Sequence, residues 1–347
     1  MNKTVLGALA VLTASSLGFA GSTDGEYMTL DRELENLATS LNSSGPGGVG
    51  VTAFFRASVD MVDQDVAGAA DDELGATADN VRVAFDADAG AGYAFHIALE
   101  AMTAGAPTTT TLLDAYGTFK VSEQVKGTIG LFRAPFLWQG WVDENHLLFN
   151  DHLAGGYTLN GLFANGRDLG AMFSGNFEQI GWAVSVQNGS DALADEHRIS
   201  GRATFTAMGK GVGLQEGAYN STDEQNLTVG VGFTDDGFLN DGTAIGGDVV
   251  FTQGPLYAHA QIADYDKDLG DTTPWDVTVS YMVSPNEWEV AGRIEDWDDV
   301  NDTTHFAGGV TYYANGHNAK WTLQFDSYNS DGNPDGTALA LTLVLGA

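Results

Sequence analysis

Charged residues recur at alternate positions along this chain, and that spacing could do chemistry. Arg56, Arg82, Lys120, Arg198, Arg202, Arg293 and Lys320 fall on the polar side of alternating stretches, and the carboxylate Glu100 shares that side. Asp143, Glu144 and Asp151 crowd into one segment that carries no Lys or Arg before Arg167. Cations set opposite a patch of carboxylates create a transverse field, which orders water and favours polar solutes. Signs of other chemistry are thin. "DYDKDLGD" (264–271) puts Asp264, Asp266 and Asp268 at alternate positions, as a calcium loop does. Its glycine comes one place late and position twelve is Trp275 rather than Glu, so it reads as an acidic loop that holds Ca²⁺ loosely. No other cofactor is expected. His96, His259 and His305 share the polar side, and His146 and His152 lie in the acidic segment. No Ser/His/Asp spacing and no H-E-x-x-H accompanies them, so they read as polar lining and no enzyme is expected.

The elements that must position these charges are strands. In "NVRVAFDADAGAGYAFHIALEA" (80–101), Val81, Val83 and Phe85 alternate with Arg82 and Asp86. After a Gly-rich turn, Tyr93, Phe95, Ile97 and Leu99 alternate with His96 and Glu100. Period two means a hairpin with one apolar and one polar face. The pattern predicts sixteen strands near 49–60, 80–88, 92–102, 110–119, 125–134, 167–175, 179–188, 196–206, 226–235, 243–252, 256–265, 273–283, 287–297, 304–314, 318–328 and 334–346. Each is about the 9–11 residues of a tilted membrane strand. Short turns alternate with long acidic loops at 61–79, 135–166, 189–195, 266–272 and 298–303; the connection 207–225 should be short and is not. Aromatic residues such as Tyr93, Trp182, Trp275, Tyr281 and Tyr312 fall near the ends of apolar faces. This predicts an all-β fold, a sixteen-stranded antiparallel transmembrane β-barrel over 49–347, with lipid outside and a polar pore inside. A soluble sandwich also alternates, but its strands are usually shorter.

The start of the chain differs. Residues 1–20 carry one lysine, an apolar run and small residues at Gly18 and Ala20, which predicts a secretory signal peptide. Residues 21–48 hold a short helical segment, with Leu30, Leu34, Leu37 and Leu41 on one seam, and the linker "SSGPGG". Lys plus Arg total 14 against 47 Asp plus Glu, a formal net charge of −33. So acidic a chain excludes nucleic acid as a partner. Charged residues are still only 18% and hydrophobic ones 43%, so it is not a disordered acidic chain. There are no cysteines, and export without disulfides fits a bacterial envelope protein.

Between the fifth and sixth strands, the loop 135–166 carries Phe136, Trp138, Trp141, Leu147, Leu148, Phe149 and Leu153. A loop standing in water would not be composed so. It is expected to fold into the barrel and narrow the channel. Here "GTIGLFRAPF", "NGRDLGAMFSGNF", "WAVSVQNG" and "FAGGVTYYANGHNAKWTLQFD" resemble the phosphate-selective porin O and P family, and "NVRVAFDADAGAGYAFHIALEA" and "TLLDAYGTF" resemble its early strands. The resemblance runs from about Val49 to Ala347. It implies an outer-membrane porin, usually a homotrimer, that passes small hydrophilic solutes and ions by diffusion. The family's ladder of Arg and Lys is missing, so phosphate selectivity does not follow. The charges favour a weakly cation-selective pore lined by Arg56, Arg82, Glu100, Arg198, Arg202, Arg293 and Lys320, with Asp143, Glu144 and Asp151 on the loop. Rival readings are an anion- or phosphate-type channel and a structural or adhesive outer-membrane barrel.

Overall fold

A computed structural model of the chain describes residues 48–64, 72–102, 109–150, 166–189, 197–236, 242–266, 271–299, 301–331 and 336–347. The signal segment, the short helix and loop residues 151–165 lie outside these. The strands are β1 (Val49–Gln64), β2 (Asp72–Gly90), β3 (Tyr93–Met102), β4 (Thr109–Lys120), β5 (Val125–Arg133) and β6 (Arg167–Phe177). There follow β7 (Ile180–Gln187), β8 (Arg198–Met208), β9 (Asn226–Asp236), β10 (Gly242–Gln253) and β11 (Leu256–Asp266). The last five are β12 (Trp275–Ser284), β13 (Trp288–Asp296), β14 (Thr304–Tyr313), β15 (Ala319–Asn329) and β16 (Gly336–Gly346). Each pairs antiparallel with its chain neighbours, and β1 pairs with β16 to close the barrel. Ala53 and Ala347 exchange backbone hydrogen bonds at 2.9 Å, so the seam is paired to the final residue. Closure leaves no sheet edge unpaired, the condition for a sheet in hydrocarbon.

The burial pattern is inverted relative to a soluble protein. On β12, Asp276, Thr278 and Ser280 are buried, whereas Val277, Val279 and Tyr281 are 38%, 44% and 51% exposed. The same holds on β7, where Val184 and Val186 look outward and Ser185 and Gln187 look inward, and on β15 with Trp321, Leu323 and Phe325 outside. An apolar exterior around a polar interior is the signature of a barrel solvated by lipid. Near the short turns, Tyr93, Tyr281, Trp288 and Trp321 are exposed, and Trp288 packs on Tyr312 with ring centroids 4.7 Å apart. Such rings sit at the membrane–water interface. The β2–β3 turn needs three successive residues at positive φ, met by Gly90, Ala91 and Gly92 (83°, 54° and 82°).

One predicted loop is mostly strand. The stretch 61–79 was expected as a long loop, but β1 runs to Gln64 and β2 starts at Asp72, with Asp60 opposite Gly75 and Met61 opposite Leu74. The apolar alternation stops here while the ladder continues, because backbone pairing is indifferent to side-chain polarity.

Candidate functional site: the pore constriction

Residues 134–150 turn into the barrel after β5, through two short 3-10 turns, Gln139–Trp141 and Glu144–His146. Trp138, Val142, Leu147, Leu148 and Phe149 are buried against Val250, Tyr257, Met282, Ala307 and Tyr313 of the wall. An apolar cluster inside a polar lumen removes these side chains from water, and this burial holds the segment against the β10–β14 side.

Wall side chains secure its backbone. A buried carbonyl needs a donor, and one strand after another supplies it. Arg202 Nη1 donates to the Phe136 carbonyl at 2.9 Å, and Arg133 Nη1 to those of Gly140 and Val142 at 2.8 and 3.1 Å. His317 Nδ1 meets the Asn145 carbonyl at 3.1 Å, Lys320 Nζ the Leu147 carbonyl at 2.5 Å, and Arg56 Nη1 that of Asn150. On the amide side, Trp138 N–H donates to Asp248 and Asn150 N–H to Gln324.

The connection 209–225 is a second inward segment, a tongue that enters from the short-turn end. Its Glu216 is fully buried and joins three elements. Its carboxylate accepts from Leu148 N–H at 2.9 Å, from Gln139 Nε2 at 3.4 Å and from Arg293 Nη2 at 2.9 Å. Its amide donates to the His146 carbonyl at 3.0 Å. Ala218 N–H donates to Glu289, which also accepts from Tyr313 and Ser280. The His317 and His146 rings lie 4.7 Å apart beside Tyr219 of the tongue. Burial, the Lys320 charge and His146 push the His317 imidazole down to about 2, and burial also lowers His146.

The charges singled out in the sequence are thus distributed between two tasks. Arg82 lies between Glu100 (2.6 Å) and Glu144 (2.7 Å), and Arg133 also reaches Glu144 (3.3 Å) and approaches Asp143 (3.8 Å). Arg82, Glu100, Glu144 and Asp143 therefore meet at one place, where loop and wall close on each other. Arg56, Arg202, Arg293 and Lys320 are buried beneath the inward segments, and Arg202 is also clamped by Asp248 at 2.5 Å. Arg198 sits apart, near Asp236 (3.4 Å) and Asp168 (3.7 Å). Asp151, His152 and Asp268 lie outside the described residues. Asp264 accepts from Thr273 Oγ1 at 3.1 Å, and among the described residues no group of three His, Asp or Glu could hold a metal ion. Glu216 escaped the sequence reading; its only signal was the anomalous length of 207–225.

Open space remains on the β1–β8 side, as two cavities of about 610 and 670 Å³ that share Lys126, Trp141 and Leu214 in their walls. A closed sixteen-stranded barrel with an inward loop and a residual lumen has solved counterparts. The fold is that of outer-membrane porins. An anion-selective porin from Comamonas acidovorans superposes with a TM-score of 0.64 at 12% identity, over 87% of this chain and 100% of that one. A loop-deletion mutant of OmpT, an outer membrane protein of Vibrio cholerae, gives 0.62 at 11% identity over 87% and 100%. A mutant of the Rh. blastica porin gives 0.54 at 12% identity over 86% and 100%. No family model and no curated protein matches the chain.

Proposed function

We propose that this protein is a bacterial outer-membrane porin, exported by its signal segment, that lets small hydrophilic solutes and ions diffuse passively and weakly favours cations. One observation carries the reading: the barrel exterior is apolar while the described part of the loop narrows the lumen, leaving two cavities along the β1–β8 wall that share lining residues. Cation preference rests on the acidic long-loop end and on the near balance of Arg82 and Arg133 by Glu100, Glu144 and Asp143 in the narrows. Rings of carboxylates at a mouth concentrate cations, and the acidic loops would hold Ca²⁺ loosely. A homotrimer is the assembly in keeping with the resemblance. Catalysis is not part of the reading: His96, His259 and His305 each face a carboxylate (Asp86, Asp276 and Glu295) on separate parts of the wall. The test is a reversal potential in planar bilayers under a KCl gradient, with liposome swelling in sugars. A modest cation preference and sugar uptake are expected; clear anion preference, or sealed vesicles, would reject the proposal.

A further inference from the structure

The cavity at the short-turn end is out of character with the rest of the molecule. Lys120, Lys126, Arg202 and Lys210 line it, and Glu123 is the one carboxylate among its described lining residues, in a chain of net charge −33. Glu123 pairs with Lys120 at 2.5 Å, and Asp248 neutralises Arg202. Lys126 and Lys210 have no side-chain partner among the described residues, and both are exposed. Lys126 also lines both cavities, together with Trp141 of the loop and Leu214 of the tongue, so a solute moving from one to the other would meet its ammonium group.

The long-loop end has the opposite character. Arg133, Arg167 and Arg198 there face Glu144, Asp114 and Asp236 at 3.3, 3.0 and 3.4 Å. Asp60, on the inner face of β1, and Asp298 and Asp302, in the β13–β14 loop, lie on that side with no basic partner among the described residues, while Asp63, Asp235 and Asp266 add negative charge to the outer face of the same rim.

Resting on the porin reading above, we infer that the pore is electrically two-sided: a cation-rich outer vestibule in series with an anion-rich inner chamber, whose charge is set by Lys126 and Lys210. Such a pore conducts asymmetrically. When the long-loop side is positive, cations from the vestibule and anions from the chamber both drift toward the narrows and accumulate, and current is high. With the bias reversed both drain away and current is low. The zones act only while their fields reach across the lumen, which holds for a Debye length of about 10 Å at 0.1 M salt and fails at about 3 Å in 1 M.

The experiment is a current–voltage curve of single channels in 0.1 M and 1 M KCl, for the parent and for K126Q/K210Q. Orientation is fixed with Ser122→Cys in every protein, since the chain has no cysteine and Ser122 lies on a short turn lining the chamber. A bulky impermeant thiol reagent then blocks from one compartment only. The expected result is a current ratio of at least about 1.5 at 0.1 M, higher with the long-loop side positive, falling toward one in 1 M. In K126Q/K210Q the ratio falls toward one at both salts and the reversal potential moves toward stronger cation preference. A symmetric parent curve, the opposite polarity, or asymmetry untouched by the double substitution overturns the inference while leaving the porin intact. Absence of any channel overturns the porin reading itself, and this inference with it.

Discussion

Replacing Glu216 by glutamine leaves the buried Arg293 guanidinium facing a neutral amide where a carboxylate stood 2.9 Å away. Removing one partner of a buried pair costs about 3–5 kcal/mol; Glu295, 3.7 Å from Arg293 Nη1, still offers a carboxylate, which puts the cost at the low end of that range. Glutamine keeps an oxygen for Leu148 N–H, so the further loss of about 1–3 kcal/mol for an orphaned donor applies to Glu216→Ala rather than to Glu216→Gln. The barrel shell is held by sixteen ladders that do not include this pair, so the cost falls on docking of the tongue and loop. At about 1.4 kcal/mol per tenfold, about 3 kcal/mol shifts the docking equilibrium by about a hundredfold. Single-channel recordings should then show larger, noisier openings, and urea unfolding in detergent, followed through tryptophan fluorescence, should lose an early, separate step. The apolar double variant E216L/R293M should recover quiet channels only in part, since it removes the stranded charge but still orphans Leu148 N–H. Parent-like noise and parent-like unfolding in Glu216→Gln would refute the idea that one carboxylate clips tongue, loop and wall together.

Three further outcomes follow from the same geometry. His317 titrates at about 2 in the folded protein against 6.5 unfolded, so the unfolded chain binds the extra proton between those values and stability falls as pH drops from about 6.5 toward 2; His317→Asn, which keeps a donor for the Asn145 carbonyl, should flatten the slope of unfolding midpoint against pH. A methyl group at Gly232 would collide with the Phe136 carbonyl, so Gly232→Ala should displace the start of the loop at a cost of about 1–3 kcal/mol, seen as altered conductance with an unchanged far-UV spectrum. Leu323→Arg, on the outer face halfway along β15 and 46% exposed, should destabilise the lipid-embedded barrel by about 2–4 kcal/mol, measured by denaturant titration in vesicles and absent for the inward neighbour Thr322→Ser.

All sixteen strands were legible because period two is a local property: Trp321, Leu323 and Phe325 against Lys320, Thr322 and Gln324 can be read within a few residues. The same parity put Arg56, Arg202, Arg293 and Lys320 on the polar side, and all four are buried. It could not say whether water or protein lay in front of them. Lys320 meets Leu147, 173 positions away, and Arg56 meets Asn150, 94 away; nothing near either residue encodes that contact. The tongue was hidden for a related reason, since its composition is mixed and its one buried acid looks like any surface glutamate until Arg293 is seen beside it. Lys126 was overlooked because it sits at the start of β5, beside a turn, where alternation is weakest.

The wall side chains that bind the backbone of Leu147 and Asn150 come from β1 and β15, the two strands that flank β16: Lys320 and Arg56 donate to their carbonyls, and Gln324 accepts from Asn150 N–H. These strands are made at opposite ends of synthesis and become neighbours of the same loop only when the cylinder is complete. The apolar cluster on β10–β14 can hold the loop earlier, but its carbonyl anchors at Leu147 and Asn150 are both met only once the seam has closed. A quiet, fully anchored constriction is thus tied to the closing of the cylinder, and noise in the conduit becomes a readout of the seam.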